Sequence, residues 1–377
     1  MTLQWLIFLT VVIIFLQRVL YEKRALKHIY YNRYFNKDAI FEGEELKMIE
    51  EIVNRKLLPV PWLRLESKFS EHLQFQTKST LDIAHDQFHR SLFSLLPFQK
   101  IKRHYYLKGE KRGHYWQKHV SMTSGDPFGL VNKKETINIS AEVFVYPKLL
   151  SLDEIPLPSR SWQGDITVRR WIMEDPFIIA GVREYSYGDP MKTINWKATA
   201  RTNTLQVSKN DYTADHHLMI YLNFDLTEDI WMPIQNEGLI ETGISYAASI
   251  AQNAIEQGIS TGFGCNSYII EPGAKVERIK KSVRVEPNYG SDHLHYLFQT
   301  MSKLKMDRSK SFNRFLEEDV TSKRRDTDIL FITSMMTRKM EEHIWELEKE
   351  GNAVEILWLQ DSKNIDVGIE QGEKNVQ

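Results

Sequence analysis

The hydrophobic pattern divides the chain into three stretches of different periodicity. Residues 3–20 are almost entirely apolar, and charge appears only at their end. From about residue 41 to residue 147, apolar and polar positions alternate in short runs that turn sequences separate. Beyond about residue 216, apolar runs typical of buried strands alternate with helical periods. The pattern therefore predicts an apolar helix, an all-β module and an α/β module, in that order.

The apolar segment predicts a membrane anchor that contacts the lipid bilayer through residues 3–20. A membrane-spanning helix needs about 20 apolar residues, and this segment just meets that length. A cleavable signal peptide would carry basic residues before the apolar run and a small-residue cleavage site after it, and both are missing. A core helix of a soluble protein would show a polar face, which is almost absent here. Since the basic residues follow the span, the positive-inside tendency predicts a single-pass protein of the cell membrane with the bulk of the chain in the cytoplasm.

The alternating region predicts a small β-sandwich, because several short strands follow one another without a long helix between them. Strands are expected around residues 46–54, 62–69, 101–107, 113–123, 136–139 and 143–146. The α/β region predicts buried strands within residues 217–225, 259–267, 327–334 and 353–360, with helices within 238–258, 291–304 and 337–351. Residues 268–279 are expected to form a hairpin-like excursion. Alternating strands and helices favour a mostly parallel sheet that is covered on both faces.

The expected organisation is an α+β multidomain chain with five segments. The segments are a membrane anchor with a stalk or short second helix (1–40), a β-sandwich (41–150), a junction (151–215), an α/β domain (216–361) and a polar tail (362–377). Lys and Arg number 49 against 50 Asp and Glu, so net charge gives no support to nucleic-acid binding. The single cysteine, Cys265, rules out an intramolecular disulfide and any cysteine-based metal cluster.

The junction contains the stretch Val182 to Arg201, VREYSYGDPMKTINWKATAR, which is rich in charged and aromatic residues. Asp189 precedes Pro190, which predicts Asp189 as the N-cap of a short helix from Pro190 to about Arg201. Met191, Ile194 and Ala198 would form the apolar stripe of that helix. The next residues, TLQVSK, alternate as a strand. Bracing of this turn by its own charges is the simpler interpretation, and docking of an acidic partner surface is the alternative.

These residues carry a resemblance to a bacterial membrane-associated family called domain of unknown function 58. The family string matches Gly181, Arg183, Tyr185, Gly188, Asp189, Ile194, Asn195, Trp196, Lys197, Thr199, Ala200 and Arg201. Upstream, Lys111-Arg112-Gly113-His114-Tyr115, Asp126-Pro127-Phe128-Gly129-Leu130 and Val145-Tyr146-Pro147 are similar to further family signatures. The resemblance implies a membrane-tethered β-sandwich followed by a von Willebrand A-like, Rossmann-like α/β domain. It also implies work beside MoxR-type AAA ATPases or other von Willebrand A proteins, and no established reaction.

The resemblance further implies where a Mg²⁺ ion could bind. The loop after the first α/β strand would supply Asp225, Thr227 and Asp229, with Asp in the third position where the family pattern has Ser. After the strand ILFIT (residues 329–333), Ser334 stands where the pattern expects Asp. The alternative is a degenerate site in which Asp225 only caps its loop. His85 and His89 have the i, i+4 spacing of a zinc-protease helix, but they lie in the β-rich region and no third ligand is apparent.

Three functional hypotheses remain open from the sequence. The first is a membrane-anchored, non-enzymatic interaction or assembly protein that needs no cofactor and has no catalytic residue. Its expected protein partner is a MoxR-type AAA ATPase or another von Willebrand A protein. The alternative is a metal-dependent enzyme that acts on a cell-envelope substrate through the degenerate Mg²⁺ loop. A third makes the α/β domain a scaffold for an assembly of like subunits.

Overall fold

The computed structural model describes residues 2–76, 88–157, 179–186, 191, 194–210, 217–228, 232–270, 280–325 and 327–360. The chain divides into two compact units. The first unit contains residues 1–149, 269–280 and 295–305, and the second contains residues 150–268, 281–294 and 306–377.

The chain begins with helix α1 (Thr2–Arg24), whose apolar side chains are exposed over most of its length. By length and composition, residues 3–24 are compatible with a single membrane span or with a signal sequence. The end of α1 is different, since Tyr21, Ala25 and Leu26 are each at most 5% exposed. Leu26 belongs to the hydrophobic core of the first unit. The helix therefore leads straight into a folded core.

Nine strands of the first unit form two sheets. One sheet has the order β1-β3-β7-β5 and the other has the order β2-β9-β8-β4-β6. The neighbours are antiparallel, apart from the parallel pair of β2 and β9. The strands are β1 (Ile29–Phe35), β2 (Ala39–Phe41), β3 (Glu45–Asn54), β4 (Val60–Lys68), β5 (Leu73–Phe75), β6 (Phe88–Leu95), β7 (Lys100–Gly109), β8 (Gly113–Gly125) and β9 (Asn132–Tyr146).

The two sheets pack face to face, as the alternating pattern predicts. Along β3, alternate residues are buried, and Met48 and Ile52 are fully inaccessible. Ile52 packs in one cluster with Leu63 and Leu65 of the other sheet. Because a strand's side chains alternate between its two faces, each strand contributes every second residue to the space between the sheets. The predicted β-sandwich is confirmed.

Strands β2, β5 and β6 were not predicted, and two further details of this unit differ from the sequence-based expectation. The two short strands predicted within residues 136–146 are one continuous strand, β9. The residues predicted as a stalk or a short second helix instead contain β1, which pairs antiparallel with β3. The sequence IYYNRYF was misleading because its inward residues include Arg33, which is 1% exposed. A buried arginine conceals the alternation on which strand prediction depends.

The second unit carries a hairpin with a short helix and a five-stranded sheet. Its strands are β10 (Ile179–Glu184), β11 (Gln206–Asn210), β12 (His217–Leu222), β13 (Ser260–Cys265), β14 (Val283–Asn288), β15 (Thr327–Thr333) and β16 (Ala353–Trp358). Within the described residues, the α-helices that follow α1 are α2 (Trp196–Thr202), α3 (Glu237–Glu256), α4 (Ser291–Lys303), α5 (Phe312–Ser322) and α6 (Arg338–Lys349).

The five-stranded sheet has the order β14-β13-β12-β15-β16. Strand β12 is parallel to β13 and β15, and β15 is parallel to β16, whereas β14 is antiparallel to β13. The prediction of a mostly parallel sheet is thus confirmed. Strand β14 and helix α5 were not predicted. Helix α5 has few apolar residues, mainly Phe312, Phe315 and Leu316. Its sequence therefore shows only a weak helical period of apolar positions.

Helices cover both faces of this sheet. Met219 and Tyr221 of β12 pack with Phe315 of α5 and Ile344 of α6. On the opposite face, a Cβ on Gly243 of α3 would lie 2.7 Å from a methyl carbon of Leu222. Glycine therefore allows α3 to approach the central strand closely. The parallel core strands are buried on both sides, as parallel strands generally are.

Candidate functional site

Polar side chains gather where the parallel strands β12, β13 and β15 end. Asn223 and Asp225 follow β12, Asn266 follows β13 and Thr333 closes β15. All four are at most 3% exposed. The carboxyl ends of parallel strands meet at one edge of a sheet, which explains why residues so distant in sequence lie together. This edge is the candidate site that the sequence identified through Asp225.

Protein groups occupy both oxygens of the Asp225 carboxylate. Oδ2 accepts a hydrogen bond from the backbone N–H of Phe312 at 2.7 Å, and Oδ1 accepts one from Nδ2 of Asn266 at 2.9 Å. Phe312 is the first residue of α5, so the carboxylate faces a helix N-terminus, where negative charge is stabilised. Asn266 also donates to the carbonyl oxygen of Lys310 at 3.1 Å. Asp225 thus fixes the start of α5 against the strand ends.

Arg308 completes the surroundings of Asp225. Its Nη1 lies 3.6 Å from Oδ1 of Asp225, and its Nη2 donates to the carbonyl oxygen of Met232. Arg308 is 9% exposed. Burial raises the pKa of the Asp225 carboxyl above its usual range, and the Phe312 N–H and the guanidinium of Arg308 work in the opposite direction.

A second set of hydrogen bonds ties the ends of β12 and β15 together. Nδ2 of Asn223 donates to Oγ1 of Thr333 at 3.0 Å, and Oδ1 of Asn223 accepts from the N–H of Asp225 at 2.8 Å. The hydroxyl of Thr333 donates to the carbonyl oxygen of Met335 at 2.6 Å. These hydrogen bonds link the ends of β12 and β15 into one buried polar layer.

This arrangement does not fit a divalent cation. Both Asp225 oxygens already accept hydrogen bonds, and a guanidinium lies beside one of them, which would repel a second positive charge. Thr227 is exposed, and Asp229 lies outside the described residues. Within the described ranges, no three His, Cys, Asp or Glu side chains form a metal-binding group. The contacts of Asp225 with Phe312, Asn266 and Arg308 fix the start of α5, and the alternative in which Asp225 only caps its own loop stays a prediction.

Sequence reasoning missed Asn266 and Arg308, whose side chains contact the Asp225 carboxylate. Asn266 had a usable signal, because it is the first polar residue after the buried strand β13 and therefore belongs at the same sheet edge. Arg308 had none, since it lies in the charged run KMDRSK before α5 and resembles a surface residue there.

The family-signature residues form a separate arrangement around α2. Strands β10 and β11 pair antiparallel, with Arg183 opposite Val207. Helix α2 begins at Trp196, and the side chain of Asn195 accepts the N–H of Ala198 at 3.0 Å as its N-cap. The helix predicted from Pro190 to about Arg201 is not continuous, because Ile194 forms an isolated bridge with Val207 and α2 begins only at Trp196. Gly188, Asp189 and Pro190 lie outside the described residues.

The signature side chains of α2 face outward. Trp196 is 67% exposed, and Arg183, Lys197 and Arg201 are exposed as well. Tyr185 is half-buried, and its backbone N–H donates to the carbonyl oxygen of Leu205 at 2.8 Å. Trp196 is therefore not a buried core residue. A large exposed aromatic ring beside several cations is a surface suited to contact with another molecule.

Of the two histidines at positions 85 and 89, His89 has a structural role in the sandwich. His85 lies outside the described residues, whereas His89 is 2% exposed within the sandwich. Its Nε2 lies 2.9 Å from the hydroxyl of Ser91 and 3.7 Å from the carboxylate of Glu50. Burial lowers the pKa of His89 to about 4, against the opposing effect of Glu50. His89 is thus a neutral residue of a buried polar cluster.

Arg33 lies at the centre of this cluster. Its Nη2 lies 2.5 Å from Oε1 of Glu50, and its Nη1 donates to Ser67 at 2.7 Å and to Gln117 at 2.6 Å. The hydroxyl of Tyr31 donates to the same Glu50 oxygen at 2.8 Å. The ion pair holds the pKa of Glu50 below its usual range despite burial. Each charge is matched by hydrogen bonds, as a buried ion pair requires.

The upstream signature residue Arg112 also has a defined position in the first unit. Its Nη1 donates to the carbonyl oxygens of Met301 at 2.8 Å and Leu304 at 3.2 Å. These carbonyls end helix α4, so the guanidinium caps a helix C-terminus, where positive charge is stabilised.

Known proteins similar to this chain share little sequence with it. The uncharacterised protein YeaD of Bacillus subtilis (strain 168) is 19% identical over 315 residues, which cover 82% of this chain and 71% of that protein. A CARDB domain from Pyrococcus furiosus, solved in complex with di-metal ions, has a TM-score of 0.19 at 11% identity and covers 31% of this chain and 96% of its own. A type II cohesin module of Acetivibrio cellulolyticus has a TM-score of 0.22 at 12% identity, covering 32% and 99%. Scores this low carry no inference about function.

The signature string around α2 begins at Gly181, and a family match begins at the same residue. The family described as Protein of unknown function DUF58 matches residues 181–374, more than half of the 377 residues, and the chain belongs to that family.

Proposed function

We propose that this protein is a membrane-anchored, non-enzymatic interaction protein that docks a protein partner on the surface around α2. In this proposal α1 spans the cell membrane once and the two units lie in the cytoplasm. In the same proposal the α/β unit is a von Willebrand A-like domain. The parallel strands β12, β13, β15 and β16 and the helices that flank them support this assignment. The partner is a MoxR-type AAA ATPase or another von Willebrand A protein.

The observation that carries this proposal is the exposure of Trp196 on α2. Trp and Arg are enriched among residues that dominate protein interfaces, because they bury much surface and also hydrogen-bond. Lys197 and Arg201 lie on the same short helix and are exposed. The combination suits a partner with an acidic patch around an apolar pocket.

The arrangement at the sheet edge favours this proposal over a metal-dependent enzyme. Asp225, the central residue of the supposed Mg²⁺ loop, is held by Phe312, Asn266 and Arg308. Displacing Arg308 to admit a cation would break the pairing of two buried groups, which is energetically unfavourable. The same contacts give the loops at this edge a fixed shape, which is useful for recognition.

The test is site-specific cross-linking of the full chain in native membranes. A photo-reactive amino acid at Lys197 should cross-link to the partner, which mass spectrometry then identifies. Trp196→Ala should lower the cross-linking yield on the order of tenfold, as expected when an interface aromatic that contributes at least 1–2 kcal/mol is removed. Trp345→Ala is the matched control, because Trp345 is also an exposed helical Trp, 56% accessible on α6.

Two results would contradict the proposal. One is equal loss of the cross-link in both tryptophan variants. The other is a wild-type chain that cross-links only to lipid or to itself at position 197, with no ATPase and no von Willebrand A protein among the products.

A further inference from the structure

Three turns of the first unit surround the point where α1 enters the sandwich. They are the connections between β3 and β4 (residues 55–59), between β6 and β7 (96–99) and between β8 and β9 (126–131). Val60 pairs with Leu95, which places the first two turns side by side. The indole N–H of Trp62 donates to the carbonyl oxygen of Asp126 at 3.0 Å, which places the third turn, 126–131, beside strand β4.

Helix α1 contacts this end of the sandwich directly. The hydroxyl of Tyr21 donates to the carbonyl oxygen of Pro59 at 3.1 Å. The ammonium of Lys56 donates to the carbonyl oxygens of Arg24 at 2.7 Å and of Ala25, where it caps the helix C-terminus. The 55–59 turn therefore lies level with the last turn of α1.

Each of the three turns exposes large apolar side chains. Leu57 is 78% exposed, and Leu96 and Phe98 are 66% and 64% exposed. Phe128 and Leu130 are 63% and 56% exposed. Apolar residues gathered in this way at the end of one unit are unusual for a surface in water and mark a contact with another phase or molecule.

The third turn is built to present its apolar residues. Asp126 is fully buried, and its carboxylate accepts the N–H groups of Phe128 at 3.2 Å and Val131 at 2.7 Å. Gly129 has φ +75°, a left-handed conformation that glycine adopts without strain. These contacts bend the chain so that Phe128 and Leu130 project outward while Val131 returns to the core. The signature Asp-Pro-Phe-Gly-Leu thus encodes a rigid loop with an apolar tip.

The depth of these turns follows from the geometry of α1. The rise from Leu20, the last apolar residue of the span, to Arg24 is about 6 Å at 1.5 Å per residue. The headgroup layer on each side of a bilayer is roughly 5–8 Å thick. If α1 spans the membrane, residues beside its last turn are at headgroup depth.

The charge around the turns suits an anionic lipid surface. Four basic residues are exposed at this end, Lys23, Arg24, Lys27 and Arg55, against one exposed acid in the same helix turn, Glu22. The stretches 52–65 and 91–104 contain no Asp or Glu. Basic residues close to a bilayer are attracted to anionic headgroups.

We propose that the 55–59, 96–99 and 126–131 turns form a lipid-docking surface that inserts Leu57, Leu96, Phe98, Phe128 and Leu130 into the headgroup region of an anionic membrane. This inference rests on the membrane anchor of the proposed function. The sandwich would then be held against the bilayer by its own loops as well as by α1.

The test uses the full chain reconstituted into vesicles of phosphatidylcholine and phosphatidylglycerol. Leu57→Cys, Phe98→Cys and Phe128→Cys variants each carry an environment-sensitive fluorophore on the new thiol, and brominated phosphatidylcholine serves as the quencher. Val12→Cys in α1 reports the span, and Tyr106→Cys reports a position six residues beyond Lys100 on β7, about 20 Å further along that strand. Cys265 is buried, so the wild-type chain is the labelling blank.

We expect quenching of about twofold or more at positions 12, 57, 98 and 128, and none at position 106, because an amphipathic surface reaches only roughly 5–10 Å into the interface. Quenching at position 12 without quenching at the three turns would overturn the docking surface and leave the anchor intact. No quenching at position 12 would overturn the anchor and the docking surface together. Equal quenching at position 106 would show unspecific lipid contact and would also overturn the inference.

Discussion

At the residue scale, the most informative side chains are charged residues that the fold buries. Arg33 and Glu50 are at most 1% exposed, and Asp225 and Arg308 are at most 9% exposed. Charges are buried only when they are paired and hydrogen-bonded, so each of these residues depends on partners distant in sequence. A substitution at one of them therefore tests a network of contacts.

Arg33→Met should strongly destabilise the sandwich. The change leaves the Glu50 carboxylate buried without its guanidinium, a loss of about 3–5 kcal/mol in the free energy of unfolding. Chemical unfolding of the full chain in detergent, followed by the transition of the first unit, measures the effect. Lys108→Met is the control, because Lys108 lies in the same unit and its ion pair with Glu110, whose side chains are 43% and 36% exposed, contributes less than about 1 kcal/mol. Equal stability losses in the two variants would contradict a special role for the buried pair.

His89 predicts how the stability of the sandwich depends on pH. Burial lowers its pKa to about 4 in the folded chain, against 6.5 for an unperturbed histidine. Between these values the unfolded chain binds a proton that the folded chain does not. The free energy of unfolding should therefore fall as pH decreases from 6.5 towards 4, by at most about 1.4 kcal/mol per pH unit from this group.

The measurement for His89 is a series of chemical unfolding curves between pH 7.5 and pH 5. Glu50 has a lowered pKa, so its contribution to stability is lost at lower pH than this series reaches. His89→Gln should show a shallower fall than the wild type across the same range. A variant that keeps the full slope would assign the pH dependence to other groups.

At the element scale, the hydrophobic period predicted many of the longer elements and missed several others, among them β1, β6, β14 and α5. Strands β12, β13, β15 and β16 and helices α3, α4 and α6 follow their predicted positions, because their buried faces are mainly apolar. Strand β1 was missed because Arg33 occupies a core position. Helix α2 was placed too early because Asp189-Pro190 is a stronger capping signal in the sequence than Asn195, which is the N-cap in the structure.

The N-cap of α2 gives a prediction at this scale. Asn195→Ala removes the hydrogen bond to the N–H of Ala198, which should destabilise the helix by about 1 kcal/mol. Amide hydrogen exchange within residues 196–202 should become faster by a factor of about 5. Asn195→Asp is the control, since aspartate caps helices as well as asparagine does. Unchanged exchange in Asn195→Ala would mean that the cap does not limit the opening of α2.

At the scale of the whole molecule, the order of modules followed from the change in sequence period, and the candidate site followed only in part. Asp225 was found because it follows a buried strand, whereas Arg308 lies 83 residues later in a charged run. The pairing of these two residues is a property of the folded sheet edge, which no local pattern contains. The outward position of Trp196 is likewise visible only in the fold, because tryptophan in a sequence favours a core.

The junction between α1 and the sandwich has a mechanical consequence. A flexible stalk would let an anchored domain sweep through a wide volume, but here Leu26 is a core residue and Lys56 clamps the helix end. If α1 crosses a bilayer, the sandwich is therefore held at a fixed position next to the membrane surface. Strand β9, with 15 residues at about 3.3 Å each, is roughly 50 Å long. A partner that binds the Tyr146 end of β9, away from the 126–131 turn, would then lie up to roughly 50 Å from the lipid.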